Sequence, residues 1–138
     1  MAMLGGRYNY TVPSLLHEAG RHRRSEHCGG GREDDHVIEL RLVVAALKQL
    51  PYGTYSHPNW QKTLVDFFNA KHRNHECLGH NRHQQKTHAV DKWIQHEHLS
   101  DSEMTWINEI RDIWKQSRNQ LRGFDQFKQA LNSILRMS

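Results

Sequence analysis

At 138 residues the chain has room for one domain and one modest core. Lys and Arg number 19 against 15 Asp and Glu, a formal charge of +4 with His neutral, which suits a polyanionic partner, nucleic acid above all. No stretch approaches the roughly 20 apolar residues of a membrane-spanning helix, and the N-terminus lacks the apolar centre of a signal peptide, so an intracellular protein, cytoplasmic or nuclear, is expected.

Histidine is the outlier of the composition, at 12 residues, each able to serve as a base, a metal ligand or a charge that forms just below neutral pH. Cys28 and Cys77 are too few for a disulfide framework or a four-cysteine zinc site. They could pair, or join histidines on zinc; two reduced, partly buried thiols are the plainer expectation.

Residues 1–31 are rich in Gly and Arg and poor in apolar periodicity, and read as a loop-rich basic arm with a short strand at Tyr8 to Val12. Residues 32–98 form the expected core and 99–138 a C-terminal helical pair packed on it. Leu40, Val43, Val44, Leu47 and Leu50 recur at helical spacing and predict a helix over 39–50, stopped by Pro51-Tyr52-Gly53. A second helix, 58–70, starts at Pro58 and carries Trp60, Leu64, Phe67 and Phe68 on one face. A polar, His-rich stretch follows, with a short strand expected at 75–79.

Beyond it, a helix over 82–97 would bury Ala89, Val90, Trp93 and Ile94. Ser100 and Glu103 make a capping-box signature for a helix over 101–119 presenting Trp106, Ile110, Ile113 and Trp114. After Gly123, a last helix over 125–136 would bury Phe127, Leu131, Ile134 and Leu135. The fold class expected is α+β, predominantly helical.

The chemistry concentrates in two segments, Asp34-Asp35-His36-Val37-Ile38 and Asn74-His75-Glu76-Cys77-Leu78-Gly79-His80-Asn81-Arg82-His83-Gln84-Gln85-Lys86-Thr87. A neutral imidazole, with an ordinary pKa of about 6.5, can take a proton from water near neutrality. A hard divalent cation can be held by one carboxylate and one neutral ligand while it offsets charge on a phosphate. Arg82 and Lys86 fall in the first turns of a helix, whose N-terminus also favours phosphate, and are expected to hold the DNA backbone.

Together the two segments resemble the motif of the HNH, or His-Me finger, endonucleases: an Asp-His pair, an Asn opening a short strand, and a His followed three residues on by Lys-Thr. His36, Asn74 and His83 stand at the three named positions, with the eight residues between Asn74 and His83 that are typical of the family. The resemblance covers roughly residues 32–94. It implies a small ββα-metal element, here with two helices inserted between its strands, and metal-dependent hydrolysis of DNA, RNA being the other candidate polyanion, to 5′-phosphate and 3′-hydroxyl ends.

It further implies that His36 is the base, that Asn74 orients it through a backbone contact, and that Asp35 and His83 hold the metal, with Asn81 or His80 as alternates to His83. Mg²⁺ is the first choice, with Mn²⁺ or Zn²⁺ open because an imidazole is a softer ligand. Cleavage of both strands would call for a homodimer. Two rival readings stand beside this one: a non-catalytic nucleic-acid-binding module built around a zinc on Cys28, Cys77 and nearby histidines, and a helical interaction protein whose basic surface is incidental.

Overall fold

A computed structural model describes Cys28 and residues 31–51, 53–57, 59–69 and 74–138. Most of the N-terminal arm, including the strand expected at Tyr8 to Val12, and Pro58 lie outside the described residues. Two short strands, β1 (Glu33–His36) and β2 (His75–Leu78), pair antiparallel, with Asp35 opposite Glu76 and His36 opposite His75. Helix α1 (Leu40–Lys48) and helix α2 (Trp60–Phe68) lie between the strands in the chain, and helix α3 (His80–Ile94) follows β2 directly. Helix α4 (Asp101–Ser117), a 3-10 turn (Arg118–Gln120) and helix α5 (Asp125–Ile134) complete the described chain. The described structure is therefore predominantly helical α+β, and no helix in it is long and apolar enough to cross a membrane.

Each helix forms because one face can be buried. In α1 that face is Leu42, Val43, Ala46 and Leu47, and the helix stops before Pro51 and Gly53, whose φ of +84° suits glycine. In α2 it is Trp60, Leu64, Val65, Phe67 and Phe68. Phe68, Trp114 and Phe127 bring α2, α4 and α5 together, with ring centroids 5.9 to 6.3 Å apart, a separation at which aromatic pairs attract beyond their burial. The C-terminal helices thus share one apolar core with the rest of the described chain.

The helix ends differ from expectation by a few residues. Helix α3 starts at His80, because Gly79 takes the extended N-cap conformation, and ends at Ile94 rather than 97. Its last expected core residue, Ile94, is instead 39% exposed. The capping box of Ser100 and Glu103 forms as expected: Ser100 Oγ accepts from the Glu103 N–H, and the Glu103 carboxylate accepts from the Ser100 N–H. A hydrogen bond from the Ser100 backbone, reinforced by Lys92, holds the Glu103 carboxyl down at about 2. Helix α5 has no side-chain cap of its own; the Tyr55 hydroxyl, 72 residues away in sequence, accepts the Phe127 N–H at 2.9 Å.

Candidate active site

The site is built where β1 meets α3. Asp35, 3% exposed, lies beside His83, with Oδ1 and Nδ1 3.0 Å apart. Lys86, one turn further along α3 and 1% exposed, donates from Nζ to Asp35 Oδ2 at 2.5 Å and to the His36 carbonyl at 2.6 Å. A buried charge is tolerated only when paired and hydrogen-bonded, and Lys86 meets both conditions. The expectation that Lys86 grips a phosphate is therefore corrected: its ammonium faces inward and ties α3 to the end of β1. Arg82 does remain exposed, its guanidinium 4.6 Å from the centroid of the Trp106 ring.

Asn74 opens β2 and is 1% exposed. Its Oδ1 accepts the Ile38 N–H at 2.7 Å, while Nδ2 donates to the carbonyls of Phe68 at 2.8 Å and Ile38 at 3.2 Å. Its own carbonyl accepts the Val37 N–H. Among the described residues every side-chain bond of Asn74 goes to backbone, two to Ile38 just after His36 and one to Phe68 at the end of α2.

His36 is 3% exposed. Its Nε2 lies 2.5 Å from the Asn69 Oδ1, and its ring centroid is 4.7 Å from that of His75. Neighbouring strand residues send their side chains to opposite faces. The Asp35 carboxylate accordingly meets α3, whereas the His36 ring meets the end of α2 and its cross-strand neighbour. The structure brings Asp35, His83 and Lys86 together, and links His36 to them through its backbone carbonyl.

Glu76, opposite Asp35 on β2, has Oε1 3.8 Å from the Lys86 Nζ. Burial, and then a hydrogen bond to the Glu109 carboxyl, push Glu76 up from its ordinary 4.5 to about 8, against the opposing pull of Lys86. Asn69, Glu76 and Glu109 were not legible as site residues, because each meets its partner through tertiary packing and none belongs to a local pattern.

The donor set fits a divalent cation. The buried Nδ1 of His83 forms no hydrogen bond among the described residues. Two neighbouring ligands on an octahedral cation, each bonded at about 2.1 Å, stand about 3 Å apart, which matches the Asp35–His83 separation. Among the described residues no cluster of three or more His, Cys, Asp or Glu is poised for a metal; Mg²⁺ commonly takes only one or two protein ligands and keeps water and phosphate oxygens for the rest. Of the alternates, His80 and Asn81 are exposed on the first turn of α3, and His83 is the one set against Asp35.

The expectation of two reduced thiols is corrected as well. Cys28 and Cys77 form a disulfide, with Cα atoms 5.6 Å apart. Both sulfurs that the zinc-module reading required are bonded to each other. No protein-family model, curated protein or solved structure matches the chain.

Proposed function

We propose that this chain is a metal-dependent endonuclease of the HNH class, hydrolysing phosphodiesters in DNA, with RNA as the other candidate substrate. The observation that carries the reading is the Asp35–His83 pair, 3.0 Å apart where an antiparallel ribbon meets the helix that follows it. The three side-chain bonds of Asn74 support it, since they hold the backbone of Ile38, two residues after His36, against the end of α2.

Asp35 and His83 would hold the cation, Mg²⁺ by preference and Mn²⁺ or Zn²⁺ as alternatives; when bound, it offsets the charge that builds on the phosphate and the leaving oxygen. The resemblance gives His36 the role of taking the proton of the attacking water, while its ring meets the end of α2 on the face of β1 opposite the Asp35–His83 pair. Asn74 keeps the strand end that carries His36 in place, and Lys86 fixes the Asp35 carboxylate by holding its other oxygen. Arg82, exposed near the start of α3, meets the nucleic-acid backbone. A double-strand cut would take two copies of the chain.

Within this reading the expected placement is the cytoplasm or nucleus. A Cys28–Cys77 bond persists mainly in oxidising settings, so counting free thiols in protein taken from cells discriminates between that placement and an exported nuclease.

The test is nicking of supercoiled plasmid with Mg²⁺, Mn²⁺ or chelator, using the parent, His36→Ala and Asp35→Asn at matched folded content. Metal-dependent nicking that falls on the order of 10²-fold or more in both variants is the expected outcome. The reading is overturned if no metal supports cutting of plasmid, single strands or RNA, or if His36→Ala cuts as well as the parent.

A further inference from the structure

Asn69 sits just past α2, as its C-cap, and its backbone N–H closes the helix on the Val65 carbonyl at 2.9 Å. One buried side chain places this helix end beside the end of β1. Asn74 bonds the carbonyl of Phe68, the residue before Asn69, and both backbone groups of Ile38, two residues after His36. The two chain segments are thereby held together, and the Asn69 Oδ1 meets the His36 Nε2 at 2.5 Å.

An amide oxygen only accepts hydrogen bonds, so the ring nitrogen facing it must carry the proton. In a neutral imidazole the other nitrogen, Nδ1, then holds the lone pair. We propose that Asn69 is a positioning residue that fixes the ring of His36 and its Nε2–H tautomer. Its consequence for catalysis rests on His36 being the base of the proposed nuclease; the tautomer itself does not.

The experiment uses the full chain labelled with ¹⁵N at histidine. Two-bond ¹H–¹⁵N correlation spectra are recorded above the ordinary histidine pKa, with the His36 signals assigned by their loss in His36→Gln. The parent is expected to show His36 as a single Nε2–H tautomer. Asn69→Ala is expected to lose that single form, and Asn69→Asp, which keeps an accepting oxygen, to retain it. In the nicking assay Asn69→Ala should lower kcat on the order of 10²-fold while KM stays within about twofold, with activity largely kept in Asn69→Asp.

A parent His36 protonated at Nδ1 overturns the proposal, and this spectrum decides the matter even if Asn69→Ala does not fold. So does an Asn69→Ala variant that keeps both the tautomer and the kcat of the parent. A parent that cuts nothing, with the tautomer still dependent on Asn69, overturns the nuclease reading alone and upholds Asn69 as the group that sets the His36 ring.

Discussion

Asn74 donates or accepts three side-chain hydrogen bonds, all to backbone and all buried. Leaving buried backbone groups unpaired costs about 1–3 kcal/mol each before relaxation, so Asn74→Ala should lower stability by about 2–4 kcal/mol, read as a shift in the urea midpoint. The neighbouring acid makes a different prediction. Glu76 is raised in the folded chain from 4.5 to about 8, so between those values the folded state holds a proton that the unfolded state has lost. Its contribution is complete below about pH 4.5 and is lost as the pH climbs toward 8. Unfolding midpoints should therefore fall between pH 5 and pH 8, and Glu76→Gln, neutral throughout, should show a shallower fall. At this scale the motif residues Asp35, His36, Asn74 and His83 could be singled out in the sequence because they sit at characteristic spacings. Lys86 was singled out for the wrong task, since its spacing is the same whether the ammonium faces a phosphate or the Asp35 carboxylate.

The helices were legible through their apolar faces, and the two strands through short runs beside polar, His-rich chain. Their ends were less so, because the last turn of a helix depends on what receives its orphan backbone groups. Helix α4 carries its own start signal in Ser100 and Glu103, and its first residue was read correctly from them. Helix α5 has no such signal, its N-cap position being Phe124 at a φ of +59°. The cap comes from Tyr55, whose hydroxyl takes the Phe127 N–H. Tyr55→Phe keeps the ring against Trp60 and Phe124 and removes that acceptor. It should cost about 1 kcal/mol, seen as a small drop in Tm with unchanged helix content by circular dichroism.

In the whole molecule, β1 and β2 make a ribbon too short to stand alone; it is held by Lys86 from α3, by the bond of Asn74 to the end of α2, and by the Cys28–Cys77 bond. That bond joins residues 49 apart in sequence. Reducing it should cost about 2–4 kcal/mol by the chain-entropy account, measured as the difference in urea midpoint with and without a thiol reductant, with Cys77→Ser matching the reduced parent. The sequence by itself determined the helical class and the order of the elements, because apolar periodicity is a local property of the chain. Only the tertiary structure decided that Lys86 turns inward, that the two cysteines pair, that His83 rather than His80 or Asn81 meets Asp35, and that Asn69 reaches His36. Each of those outcomes depends on groups distant in sequence being brought within a few ångströms by a shared core, and on burial forcing charges and polar atoms to find partners there.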